Sequence, residues 1–173
     1  MTTPTGRDAA IRTLGDLIRD IKVAMLTTVA SDGMLRSRPM VTQQVVFDGD
    51  LWFFTRADSA KADEVRRDEG VNLSYADPDA QHFVSVSGTA RLVRDRRKAE
   101  ELWHPLLRAW FPQGLDDPDL ALLKVVVVKA ESWDAPSSTM VHIVGFVRAL
   151  ATGRPYEPGE HDTMTLDESS SRG

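Results

Sequence analysis

Two short stretches of this chain bring together residue types that could bind a ligand. The first is Leu35-Arg36-Ser37-Arg38-Pro39-Met40-Val41. In an extended strand Arg36 and Arg38 share one face, and Pro39 has no N–H to give to a neighbouring strand. Cation and backbone groups are then free to meet a planar, heteroatom-rich ring edge-on. An edge strand whose arginines discourage aggregation fits the same residues. The second stretch is Phe53-Phe54-Thr55-Arg56-Ala57-Asp58-Ser59-Ala60-Lys61, read as a strand that ends at Thr55 and a helix that begins near Ser59. A helix N-terminus presents unpaired N–H groups and favours anions, so Lys61 in the first turn is locally unfavourable unless an anion sits there too. The hydroxyls of Thr55 and Ser59, the free N–H groups, Arg56 and Lys61 together describe a phosphate site. A solvated surface helix with an ordinary Ser or Asp cap is the alternative.

Other chemistry is largely excluded. The 173 residues contain no cysteine, which removes disulfides, thiolate catalysis, zinc–thiolate sites and iron–sulfur clusters. His82, His104, His142 and His161 have no paired spacing, and no metal site is expected from them. Asp48-Gly49-Asp50 and Asp77-Pro78-Asp79 lack the full ligand series of a calcium loop and read as turns. Nucleotide-binding glycine loops, zinc-protease helices and nucleophile elbows are absent. The formal charge of −5 gives no reason to expect nucleic acid or an anionic membrane as partner. Met1–Asp20 has scattered charges and no apolar block, and Val125–Val128 is far short of the roughly 20 residues that span a bilayer. A cytoplasmic protein is expected.

The elements that must position these stretches are readable from periodicity. Ile11, Leu14, Ile18 and Ile21 predict an amphipathic helix, with Thr5 and Asp8 as a capping box. Alternation predicts strands over Lys22–Val29, Met34–Phe47 and Leu51–Thr55, the last two joined by a hairpin at Asp48-Gly49-Asp50. Ser59–Glu69 reads as a polar helix stopped by Gly70. Strands are expected at Val71–Ala76, Phe83–Val93 and Val125–Ala130. Asp95 is placed to cap a helix with Leu102, Trp103, Leu106, Leu107, Trp110 and Phe111 on one face, kinked or restarted at Pro105. Val141–Ala151 reads as a buried helix. Residues 1–152 then form one domain, and 153–173, rich in Pro, Gly, Ser and acidic residues, a loosely ordered tail. Hairpin-linked strands without strand–helix alternation fit a small antiparallel barrel with peripheral helices.

Ala24-Met25-Leu26-Thr27-Thr28-Val29, Arg36-Ser37-Arg38-Pro39-Met40, Leu51-Trp52-Phe53-Phe54-Thr55 with Ser59-Ala60-Lys61, and Ser132-Trp133-Asp134 occur in this order. In sequence and spacing they resemble the pyridoxamine-phosphate-oxidase-like flavoproteins, in particular the general stress protein 26 branch. The resemblance spans about Ile11 to Ala151. It implies a six-stranded antiparallel split β-barrel and a homodimer with FMN between subunits. By the same resemblance Arg38, Pro39, Met40 and Val41 would contact the isoalloxazine, and Phe54 and Thr55 would line the ribityl and phosphate end. Ser59 and Lys61 would hold the phosphate. Trp133 matches a late segment that reaches the flavin, from the same or the partner subunit; a buried core tryptophan is the alternative.

Departures from the pattern bear on activity. True pyridoxamine-phosphate oxidases carry a basic C-terminal motif that grips the substrate phosphate, whereas this chain has Gly159-Glu160-His161-Asp162 and an acidic, serine-rich end. Ala60 stands where the oxidases tend to have arginine. The expectation is therefore an FMN-dependent oxidoreductase other than the vitamin B6 enzyme, with no catalytic side chain assigned because the flavin carries the redox chemistry. A flavin-binding stress protein without turnover, or a relative that binds a deazaflavin or haem, are the alternatives.

Overall fold

The computed structural model describes residues 6–43, 46–134 and 160–165, and the helix expected over Val141–Ala151 lies outside them. Helix α1 (Gly6–Ile18) turns Leu14 and Ile18 into the core, with Ile21 just beyond its end. Strand β1 (Val23–Val29) buries Ala24, Leu26 and Thr28 in alternation. The chain reverses at Gly33 (φ +78°) and returns as β2 (Leu35–Val41), with Pro39 opposite Met25. β2 is the edge strand its proline requires. It stops short of the expected Phe47 because β1 begins at Val23 and offers no ladder beyond it. Thr42 instead donates to the carbonyls of Lys22 (3.0 Å) and Ile21 (2.8 Å).

The hairpin expected at Asp48-Gly49-Asp50 does not form. Strand β3 (Asp50–Arg56) pairs antiparallel with β6 (Leu120–Asp134) and has no ladder to β2. Gly49, at φ +110° and with Ile11 of α1 close by, makes a turn that other residues resist. Its carbonyl accepts from Val127 N at 3.1 Å, which commits the chain to the β6 side.

After β3, helix α2 (Ala60–Arg67) begins at Ser59 and ends at Asp68. Gly70 does not serve as its stop; the Asp68 carboxylate accepts from Gly70 N at 2.9 Å, and Gly70 opens β4 (Gly70–Asp77). β4 pairs with both β1 and β5 (His82–Val93), and β5 with β6. The register shifts at Ser87/Gly88, and a Cβ on Gly88 would stand 2.2 Å from the Val126 carbonyl oxygen. Only glycine lets the strands bend together there.

The hydrogen-bonded order is β2-β1-β4-β5-β6-β3, every pair antiparallel. The sheet curls until β2 and β3 approach without pairing, the six-stranded split barrel that was expected. β6 is much longer than Val125–Ala130 because it serves three neighbours. β5 runs along most of it, β3 covers it up to Val126, and its far part, Lys129–Asp134, pairs with β7 (Glu160–Thr165). Within 153–173, residues 160–165 thus form a strand. Where β3 ends, β6 presents an open edge, and residues 160–165 occupy it.

The barrel interior holds Leu26, Met40, Leu51, Phe53, Leu73, Tyr75, Val84, Val86, Leu123 and Val125, with α1 and Val65 of α2 packed onto them. A second cluster, Ala99, Leu102 and Leu122 with Trp52 and Phe54, covers the other face of β3. β3 is therefore buried on one side and partly covered on the other, which is why Leu51-Trp52-Phe53-Phe54 is an unbroken apolar run. Helix α3 (Arg96–Leu102) supplies that cover, and Asp95 caps it by accepting from Lys98 N at 3.0 Å. It does not run on to Phe111. Trp103 and His104 are extended, as a residue before proline prefers, and Pro105 starts a separate 3-10 turn, Pro105–Ala109.

Candidate functional site

The unpaired seam between β2 and β3 opens into a cleft of about 360 Å³. One wall is the end of β2, Pro39, Met40 and Val41, with Val23 of β1 beside it. The end of β3 supplies Phe54, Thr55 and Arg56, and the start of α2 supplies Ser59 and Lys61. The two sequence stretches thus meet, but by closure of the curled sheet and not across a hairpin. Leu107, Trp110 and Phe111, from the turn after Pro105, form an apolar wall, and Gln43 completes the lining. Phe54 is locked by ring contacts with Trp103 (5.8 Å, edge-on) and Phe111 (6.3 Å).

The polar end has the features of an anion site. Ser59 is the N-cap of α2, yet its hydroxyl makes no capping bond and donates to the Arg56 carbonyl at 2.7 Å. The Ser59 carbonyl accepts from Ala62 N (2.9 Å) and Asp63 N (3.2 Å), so the first N–H groups of the helix have no intrahelical acceptor. Thr55 is buried, with its hydroxyl 3.4 Å from that of Ser59. Lys61 is half-buried and has no ion pair among the described residues. Burial first, and then the charge of Arg38, hold its pKa below the ordinary lysine value, with Glu64 opposing them. Arg56 is differently placed. It pairs with Asp58 (3.1 Å) and Asp119 (2.5 Å), whose hydrogen bond and charge raise its pKa.

Arg38 does not line the cleft. Its guanidinium turns inward, one nitrogen donating to Thr28 Oγ1 and the other to Glu64 Oε2 at 2.6 Å, while Thr28 Oγ1 donates to the same Glu64 oxygen at 2.6 Å. Glu64 is 6% exposed and Thr28 1%. Trp133 also lies away from the cleft wall. It stands on the open face of β6 opposite Phe83, 37% exposed, and is not the core residue of the alternative reading. A separate cavity of about 310 Å³ lies against α1 beside Leu51, Phe53 and Tyr75, and is lined by none of the residues assigned to the ligand from sequence.

Sequence reading missed Val23, Gln43, Leu107, Trp110 and Phe111 as cleft residues, and missed the Thr28–Glu64 link. One signal was present. Thr28 follows Ala24 and Leu26 in the inward register of β1, where a hydroxyl needs a partner.

The described residues thus define a split barrel with an apolar slot that ends in a corner of two hydroxyls, a lysine and a helix N-terminus. Residues 9–157 match the family described as pyridoxamine 5'-phosphate oxidase like, and the chain belongs to that family. Protein bli-3 of Neurospora crassa is 30% identical over 165 residues, covering 90% of this chain and 79% of that protein. Among solved structures, a protein assigned to general stress protein 26 in Jannaschia sp. CCS1 aligns with TM-score 0.68 and 25% identity over 89% of this chain and 96% of that one. The general stress FMN/FAD binding protein of Xanthomonas citri aligns with TM-score 0.65 and 28% identity, over 75% and 92% of the two chains. No helix among the described residues is long and apolar enough to cross a membrane.

The buried triad has a pH signature. Burial pushes the Glu64 carboxyl up, but hydrogen bonds from Thr28 and Arg38 and the charge of Arg38 outweigh it, so its pKa lies below the ordinary value. A depressed carboxylate stabilises the fold above its unfolded pKa and loses that contribution as pH falls through the folded one. Glu64→Gln should therefore lower stability by about 3 kcal/mol at pH 7. That gap should narrow below roughly pH 4.5, as the wild-type carboxyl protonates. Urea unfolding of both proteins across this range measures it; a gap that widens with acid contradicts the assignment.

Proposed function

We propose that the cleft binds FMN and that the protein is a flavin-dependent oxidoreductase distinct from the vitamin B6 oxidase. The observation that carries this reading is the corner at α2. An uncapped helix N-terminus, two hydroxyls and a half-buried lysine with no ion pair among the described residues converge at one end of an apolar slot. That donor set suits a phosphate monoester. The slot between Pro39–Val41 and Leu107, Trp110 and Phe111 suits a flat ring, and the edge strand leaves backbone groups for the ring's heteroatoms. The Xanthomonas citri relative, named for binding FMN or FAD, supports the same ligand class.

In this reading Ser59, Thr55 and Lys61 hold the phosphate, Phe54 lines the chain that joins it to the ring, and Pro39, Met40 and Val41 border the ring. A bound flavin supplies hydride or single-electron exchange; the protein supplies placement and exclusion of water. Glu160, His161 and Asp162 stand where the B6 oxidases have basic residues, so a phosphorylated pyridoxal substrate finds no matching charge.

The assembly is a homodimer with the cleft at its interface. Support comes from exposed apolar residues on the sheet, Val23, Met25, Leu35 and Val41 on β1–β2 and Phe83 and Trp133 on β5–β6. Trp110, 57% exposed, stands at the lip of the cleft. Apolar area of this kind marks an interface, and a second copy would bring it over the ring. Light scattering should give twice the chain mass, and Met25→Glu with Leu35→Glu should give the single-chain mass. A wild-type protein of single-chain mass at micromolar concentration contradicts the dimer.

The ligand assignment separates FMN from riboflavin, which lacks only the phosphate. Ser59→Ala combined with Lys61→Ala should weaken FMN by about 100-fold, as expected for losing charge-assisted hydrogen bonds. Riboflavin should change by less than about threefold. Flavin fluorescence quenching measures both, and equal weakening of the two ligands removes the phosphate assignment.

A further inference from the structure

The cleft has two ends carried by separate elements. The ring end is on β2, at Pro39–Val41, and the phosphate end is on the first turn of α2, at Ser59 and Lys61. Among the described residues, the side-chain hydrogen bonds that join β2 to α2 form one set. Arg38 of β2 reaches Glu64 of α2 at 2.6 Å, and Thr28 of β1 bonds to both partners. The link is almost free of solvent, since Glu64 and Thr28 are nearly fully buried and the Arg38 side chain is 22% exposed. Arg38 adjoins Pro39 in sequence, and Glu64 lies one helical turn from Lys61. The brace therefore attaches next to each end of the cleft.

We infer that Glu64 is a positioning residue, which through Arg38 and Thr28 sets the distance between the ring-binding strand and the phosphate-binding helix turn. This rests on the flavin reading of the cleft and deepens it. A ligand that spans both ends feels the spacing; one that uses a single end does not. A brace of two charges and a hydroxyl suits this role because it is directional where an apolar contact is not. A fold needing only stability there could do as well with apolar side chains.

The test uses the double variant Arg38→Met with Glu64→Leu, which removes the brace, leaves net charge unaltered and strands no buried ion. FMN uses both ends, riboflavin the ring end, and inorganic phosphate the helix end. The double variant should unfold within a few degrees of wild type. It should bind FMN about tenfold more weakly, as supporting contacts to binding groups generally do. Riboflavin and inorganic phosphate should stay within about twofold of wild type. Arg38→Lys keeps the charge pair but not the fork, and should fall between, with FMN weakened a few-fold. This variant decides the matter if the double one does not fold.

Unchanged FMN affinity in a folded double variant overturns the inference. So does a parallel loss of all three ligands, which is the mark of a merely structural role. Failure of the flavin reading looks different: wild-type protein that does not quench FMN fluorescence removes that reading and this inference together.

Discussion

The arrangement depends on a barrel that curls fully but does not close. β2 and β3 come alongside each other with no ladder between them. Pro39 removes a donor from the β2 edge that faces the seam, while the other edge of β3 is taken by β6 from Asp50 to Arg56. Unpaired strand edges are a hazard in a free protein, and here the seam is lined by the end of β2, the end of β3 and the turn that follows Pro105. The ligand-sized space is a consequence of how the sheet ends, with no second domain required to make it.

Electrostatics around the seam are divided by burial. Arg38 is held inward by Glu64 and Thr28, and Arg56 outward by Asp58 and Asp119. Lys61 lies between them without an ion pair among the described residues, on a helix whose first N–H groups point the same way. The charge offered to a ligand is thus one lysine and a helix terminus, a modest and localised field. Trp52, held between Lys98 (5.4 Å) and Lys124 (5.3 Å), ties the far side of β3 to α3 and so steadies the strand that carries Phe54 and Thr55.

Much of this was legible in the residues themselves. Alternation gave β1 and β5 closely, Pro39 marked an edge strand, and Lys61 falls in a first helical turn as expected. What was not legible was non-local. Asp48-Gly49-Asp50 has the composition of a hairpin turn, but whether β3 pairs with β2 or β6 depends on where Gly49 and α1 direct the chain. Leu107, Trp110 and Phe111 have helical spacing, yet Pro105 confines them to a short turn, which moves them to the cleft wall. Arg38 was placed in the site by its sequence neighbours; its inward partner, Glu64, lies 26 residues further on and has the look of an ordinary helix-surface charge. Residues 160–165 have a tail's composition, and only the length of β6 makes a strand of them.

A flavin mononucleotide site at the seam is read out by denaturing the purified protein, separating what it releases and identifying that compound by chromatography and absorption spectrum. The protein should be yellow and should release FMN in a ratio approaching one per chain. A colourless protein that fails to quench added FMN, or one that releases a haem or a deazaflavin, would contradict that assignment.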